Sequence, residues 1–395
     1  MNLTNRQIFL QQLAQTSTAP MMLEIEKAEG IYLFDSNGKK YFDLISGISV
    51  SNIGHCHPKV INAIEEQLKK YMHLMVYGEY IQSPQVEYAK LLTDQLPNNL
   101  NCVYFTNSGS EATEGAIKLA KRMTERTEIV SFKNSYHGST QGALSIMGDE
   151  YFRNAFRPLI PGSRLLDFNN EEHLEQITSA TAAVVVEPVQ AEAGVILPKE
   201  NFLRKLRDRC NEVGALLIFD ECQTAFGRTG TMFCFQQYQI EPDVLLLAKA
   251  LGGGMPLGAF ISSSKNLKAL TQNPVLGHIT TFGGHPVSCV AGKAALEVLI
   301  NEKLIEGVEM KAELFKKYLS HPLIKDFRNS GLLISVEFEN EMICKKIISN
   351  CIENGIVTDW FLFAGNCMRI APPLIITKEE IQESCKTILM AIDKI

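Results

Sequence analysis

The chain of 395 residues predicts an α/β fold built on a doubly wound, mostly parallel sheet. Short apolar runs at 182–186, 216–219 and 244–247 are flanked by turn-forming segments, as strands buried on both faces of a sheet would be. Helical segments alternate with strand-like runs from about residue 101 to 264, which is how parallel strands are connected. Charged residues fall at or just past the carboxyl ends of these runs, where ligands gather in open α/β sheets.

Taken in order, residues 1–20 are polar and helix-like, lack a signal-peptide core and end in Ala19-Pro20. Runs 31–34 and 40–44 flank Asp35-Ser36-Asn37-Gly38 and read as a hairpin. After Pro58 a helix is predicted, with Val60, Ile61, Ile64 and Leu68 on one face. Ser83-Pro84 starts another, carrying Val86, Ala89, Leu91 and Leu92. The stretch CVYFTNSGSEATEGAIKLAKRM reads as strand, polar turn and helix. Run 128–132 leads into Lys133-Asn134-Ser135-Tyr136-His137-Gly138, and run 182–186 leads into Glu187 and Glu192. Residues 259–261 form an antiparallel or edge strand after the glycines 252–254. A helix near 288–299 begins the departure from this body. LLISVEF, a helix near 343–354 and MRIAPPLIIT then make a compact α+β unit. The expected division is an N-terminal segment 1–50 contributing to a small domain, a large domain 51–285 and a C-terminal small domain 286–395.

Composition narrows the function. A net charge of −6 argues against a nucleic-acid surface, which needs a basic stripe. No apolar stretch reaches the length of a membrane span, so a cytoplasmic location is expected. The ten cysteines lie mostly in apolar segments and read as reduced, buried thiols. Gly54-His55-Cys56-His57-Pro58 lacks a second ligand cluster at finger or ribbon spacing, so it reads as a turn packed near the core and no metal is expected.

The chemistry begins with Asp220 and Lys249, which emerge past two of the buried runs. An isolated buried charge is costly, so each must be paired, neutralised or bonded to something. Pyridoxal phosphate satisfies both, because its aldehyde condenses with a lysine and its protonated ring nitrogen wants a carboxylate. Gly252, Gly253 and Gly254 let the backbone turn tightly beside such a ligand. Alone, either residue reads as a surface lysine or a turn acid; together, in this order, they favour the cofactor. Ser108-Gly109-Ser110 opens a helix, where free N–H groups favour a phosphate, although a plain serine N-cap with Glu111 and Glu114 in the first turn fits equally well. Tyr136 could stack on a flat ring or sit in the core. Arg369, inside an apolar strand, needs a partner: either a salt bridge or a substrate carboxylate held by its planar fork.

These motifs resemble the class III aminotransferases, the ornithine, acetylornithine and 4-aminobutyrate group. The resemblance runs from Gly30-Ile31-Tyr32 to Arg369-Ile370-Ala371-Pro372-Pro373 and is most specific at Asn107-Ser108-Gly109-Ser110-Glu111-Ala112, Asp220-Glu221 with Gln223, Phe226-Gly227-Arg228-Thr229-Gly230 and Lys249-Ala250-Leu251-Gly252-Gly253-Gly254. It implies fold type I, with a mostly parallel seven-stranded sheet and a smaller α+β domain, in a homodimer with sites at the subunit interface. Lys249 would be the Schiff-base lysine and Asp220 the partner of the pyridine nitrogen. Gln223 would lie by the phenolic oxygen, Tyr136 on the ring, Ser108, Gly109 and Ser110 at the phosphate, and Thr281 at the neighbouring subunit's phosphate.

The resemblance also implies a ping-pong cycle. A terminal amine donor such as N-acetylornithine, ornithine or 4-aminobutyrate would give its nitrogen to 2-oxoglutarate. Glu192, matching the family's gating glutamate, would pair with Arg369 and release it for a dicarboxylate, with Thr280 also at the substrate. Ser139 stands where many relatives have arginine, and Ile48 resembles the acetylornithine and aminobutyrate enzymes more than the ornithine enzyme. A decarboxylase or aminomutase on the same scaffold is the alternative, and a non-catalytic, cofactor-binding regulatory protein is a third.

Overall fold

The computed structural model describes residues 3–395. Its centre is a seven-stranded sheet of β1 (Cys102–Thr106), β2 (Glu128–Phe132), β3 (Ser163–Leu166), β4 (Thr181–Val186), β5 (Leu216–Asp220), β6 (Val244–Leu247) and β7 (Gly258–Ser262), in the order β1-β7-β6-β5-β4-β2-β3. All neighbours are parallel except β7, which runs antiparallel to both β1 and β6. Residues 259–261 are therefore an antiparallel strand inside the sheet, not at its edge.

Side chains alternate across a strand, so each strand feeds two cores. Val184, Val186, Leu217, Phe219, Leu245 and Leu247 pack with Phe202 and Leu206 of the helix Phe202–Val213. Ala183, Val185, Ile218, Val244 and Leu246 pack on the other face with Ala112, Ala116 and Leu119 of the helix Gly109–Thr124. Residue 115 must be glycine, because a Cβ there would lie 2.3 Å from a ring atom of Phe260. The edge strand β3, sequence SRLL, was not foreseen: with two polar residues in four it carries neither an apolar run nor a clear alternation.

Two smaller sheets flank this body. Ile25–Glu29, Tyr32–Asp35 and Lys40–Asp43 form an antiparallel meander, and Ile356–Val357 joins it in parallel alongside Phe42 and Asp43. Asp326–Ser330, Leu333–Glu337, Ala364–Ile370 and Asp359–Phe361 form an antiparallel sheet covered by the helix Glu341–Glu353. In the MRIAPPLIIT stretch the strand stops at Ile370, ahead of the two prolines. The helix Pro286–Asn301 packs against the helices Pro58–Leu68 and Ser83–Thr93.

Arg228 ties these parts together. It is fully buried and donates to the carbonyls of Leu332 and Pro372, to Ser46 Oγ and to Asn52 Oδ1. Burial pushes its guanidinium down to about 9, opposed by the charge of Asp43. Ser46 belongs to a left-handed turn in which Ser46, Gly47, Ile48 and Ser49 have φ of 44°, 61°, 64° and 61°. Such a run costs energy for the three residues with a Cβ and persists only where the surroundings enforce it.

Some helix faces differ from expectation. On Pro58–Leu68 the structure buries Val60 and Gln67 and leaves Ile61 and Leu68 exposed; on Ser83–Thr93 it buries Tyr88 and Leu92 and exposes Val86. In both helices the buried stripe is turned from the apolar one, leaving apolar side chains on the outside. All ten cysteines are free thiols, and Cys56 is exposed, not buried. Its φ of 52° belongs to a turn that directs it away from the core. Among the described residues no helix is long and apolar enough to cross a membrane.

Candidate active site

A cavity of about 150 Å³ opens at the carboxyl ends of β4, β5 and β6. Ser108, Gly109, Ser110, Tyr136, Glu192, Asp220, Gln223 and Lys249 all line it, so eight of the residues singled out in the sequence converge there.

Asp220 is the last residue of β5 and is buried. Its Oδ2 lies 2.8 Å from His137 Nδ1, and its Oδ1 accepts the Cys222 N–H at 3.0 Å. Burial alone would raise this carboxyl. The hydrogen bond and charge of His137, with the Cys222 N–H, outweigh it and hold Asp220 below the ordinary carboxylate range. His137 went without a role in the sequence because it follows β2, and only the strand order places that loop two strands from Asp220. Its Nε2 is buried without a hydrogen-bond partner among the described residues.

Lys249 follows β6, the neighbour of β5, and turns out of the sheet with a φ of 52°. The turn continues to Gly253, where a Cβ would lie 2.5 Å from the Ala291 carbonyl oxygen, so only glycine allows the approach. Lys249 Nζ donates to Gln223 Oε1 at 3.3 Å, and Gln223 Nε2 faces Glu192 Oε1 at 3.4 Å.

Glu192 in turn binds Arg369 end-on through two contacts, 2.8 Å to Nη1 and 3.0 Å to Nη2. Burial would raise Glu192, but the charge of Arg369 and its hydrogen bonds, assisted by Lys249, hold it low. Arg369 does not line the cavity; it stands behind Glu192. Of the two readings of this arginine, the structure contains the salt bridge.

At the other end of the cavity, Ser108 caps the helix Gly109–Thr124 by accepting the Glu111 N–H at 3.2 Å. The N-cap reading of this serine therefore describes its hydrogen bond, while the helix start itself still faces the cavity. Ser110 Oγ accepts the Ser139 N–H. A Cβ on Gly109 would sit 3.0 Å from Cys222 Sγ, and one on Gly138 would sit 2.3 Å from Ser110 Oγ. Tyr136 lies at the rim, its hydroxyl 3.0 Å from Ser139 Oγ and its N–H donating to Glu187. Burial, then the charge of Asp220, pushes Glu187 well above its ordinary value. Thr280 is tied to Asn107 through a 2.8 Å bond, Thr281 is exposed, and neither lines the cavity.

This donor set fits pyridoxal phosphate. Glycines 109 and 138 leave a cradle at a helix N-terminus for the phosphate. Asp220 is a buried carboxylate held ionised, and Lys249 is an amine hydrogen-bonded to a side-chain amide. A mostly parallel α/β sheet with an amine and a carboxylate at the ends of adjacent strands defines the class: an enzyme working through a carbonyl cofactor.

The comparisons carry this to a family. Residues 13–392 match the family model described as aminotransferase class-III, and the chain belongs to that family. It is similar to an acetylornithine aminotransferase of Methanopyrus kandleri, 39% identical over 90% of each chain. A second, from Methanosarcina mazei, is 39% identical over 91% of this chain and 89% of that one. Among solved structures, the ornithine aminotransferase from Toxoplasma gondii superposes with a TM-score of 0.90 at 30% identity, covering 99% of this chain and 96% of that one. The fold-type I expectation agrees with this likeness.

Proposed function

We propose that the protein is a pyridoxal-phosphate-dependent aminotransferase that takes the terminal amine of an ornithine-type donor and passes it to 2-oxoglutarate. The observation that carries this reading is the end-on pair of Glu192 and Arg369 beside the lysine. A guanidinium fork suits a carboxylate, and an acid masking it lets one pocket receive a substrate without a carboxylate there and then one with it. The relatives named acetylornithine aminotransferase support the choice of donor.

When bound, pyridoxal phosphate supplies an electron-withdrawing ring that activates the bond between the substrate's nitrogen-bearing carbon and its hydrogen. Asp220 holds a proton at the ring nitrogen, and His137 keeps Asp220 ionised for that task. Lys249 Nζ moves the proton at the reacting carbon, and Gln223 orients that amine. Tyr136 covers one side of the pocket, and Ser108, Gly109 and Ser110 receive the phosphate at the helix start.

The working unit is a homodimer in the cytoplasm. The stretch 68–81 exposes Leu68, Met72, Tyr80 and, at 96%, Ile81, and Phe282 is exposed beside Thr281; a second copy covering them would bring Thr281 to its partner's phosphate. Free thiols throughout suit a reducing compartment.

A spectroscopic screen of purified protein against N-acetylornithine, ornithine and 4-aminobutyrate tests the function. Donor alone should change the cofactor absorbance, and added 2-oxoglutarate should restore it. Release of carbon dioxide without that change would favour a decarboxylase. Lys249→Ala should lose turnover, and retained turnover would remove Lys249 from its role.

A further inference from the structure

Arg369 carries two carboxylates, and they differ in kind. Glu192 takes the terminal edge of the guanidinium, Nη1 and Nη2. Asp359 takes the other side, its Oδ1 2.9 Å from Nε. The remaining contacts complete a fixed seat: the Trp360 carbonyl lies 3.2 Å from Nη2 and the Phe361 ring centre 4.6 Å from the guanidinium carbon.

Their origins differ as well. Asp359 pairs directly with Arg369 across two strands of the same antiparallel sheet, so the two move as one body. Glu192 comes from the loop after β4 and reaches that sheet through its own backbone carbonyl, bonded to the Phe363 N–H, and a 3.1 Å bond from the Leu362 N–H to its carboxylate. Glu192 is thus anchored outside the sheet that carries Arg369, whereas Asp359 springs from the position paired with Arg369 in that sheet.

We propose that Asp359 is a positioning residue. It holds Arg369 by the Nε side while the terminal edge is exchanged between Glu192 and the carboxylate of an incoming oxo acid. This role rests on Glu192 masking Arg369 in the proposed reaction. Without Asp359, departure of Glu192 would leave the guanidinium held by the Trp360 carbonyl and the Phe361 ring with no carboxylate to aim it, and the entering carboxylate would have to order it again. With Asp359, the fork stays aimed, and its charge is partly offset. A dicarboxylate is therefore held with correct geometry and moderate strength, so that it can leave.

The two effects are separable, because asparagine keeps an acceptor oxygen near Nε and removes the charge, while alanine removes both. The probe is glutarate, an inert dicarboxylate, titrated by calorimetry into the holoenzyme, with the KM for 2-oxoglutarate alongside. Asp359→Asn should tighten glutarate and lower that KM by about threefold, since one opposing charge is gone. Asp359→Ala should weaken glutarate by about tenfold, the order expected for losing one charge-assisted hydrogen bond.

Changes in the same direction for both variants, or changes under about twofold in both, overturn the proposal. Glu192→Gln separates it from the reading beneath. That variant unmasks the arginine and should tighten glutarate. If it does so while the Asp359 variants stay flat, the positioning role alone falls; if Glu192→Gln leaves glutarate unmoved, the masking of Arg369 falls with it.

Discussion

Replacing His137 by phenylalanine would remove the side-chain partner that holds Asp220 ionised. The bond is short, 2.8 Å, and joins a side chain with no exposure to a carboxylate that is 5% exposed, so solvent cannot substitute for it. A hydrogen bond to a charged group contributes about 1.5–3 kcal/mol, so without it the ionised form of Asp220 is less favoured and its carboxyl should rise. Its present state sets the direction. A carboxylate held low is ionised until the pH falls below its own value; with only the Cys222 N–H left to oppose burial, protonation comes at higher pH. The acid limb of kcat/KM should therefore move upward, with the loss of activity greatest on the acid side of neutrality. His137→Asn, which can still present an N–H, should recover part of both. The assay is a pH profile of the donor half-reaction with an absorbance titration of cofactor affinity. If His137→Phe leaves the acid limb in place, the bond is a packing contact and the reasoning fails.

Gly109→Ala would press a methyl against Cys222 Sγ at 3.0 Å and should weaken cofactor retention at a cost of about 1–2 kcal/mol, with Cys222→Ala restoring it; additive losses in the double variant would refute the contact. Arg228→Met would leave two carbonyls, Ser46 Oγ and Asn52 Oδ1 without their donor, lowering stability in urea by about 3–5 kcal/mol; a midpoint near wild type would show these groups find other partners. Asp359, raised to about 6 by burial against the pull of Arg369, contributes stability that is complete below its unfolded value and is lost as pH rises through about 6. Wild-type stability should thus fall relative to Asp359→Asn between about pH 4 and 7, by about 2–3 kcal/mol; parallel curves would refute this.

Much of this site was legible because strand ends are legible. Apolar runs of four or five residues mark buried strands, and the polar residues just past parallel runs arrive at one edge, so Asp220, Lys249, Glu192 and the Ser108 turn could be gathered without coordinates. Strand order is set by long-range pairing and leaves no local trace. His137 and Asp220 meet only because β2 and β5 flank β4, and Asp359 reaches Arg369 only through a hairpin register. The edge strand β3 escaped for the opposite reason, having too little apolar patterning to register. On the helix Pro58–Leu68 the apolar positions were read correctly as apolar, but periodicity does not say which neighbour covers them.

The pairing of Ile356–Val357 with Phe42 and Asp43 also constrains how the chain can be made. During synthesis the meander at residues 25–43 emerges early, yet the strand that completes its edge is translated more than three hundred residues later. At about 5–20 residues per second, that edge waits for tens of seconds on the ribosome, open to any other strand. Closure of the N-terminal sheet is thus a late, long-range event.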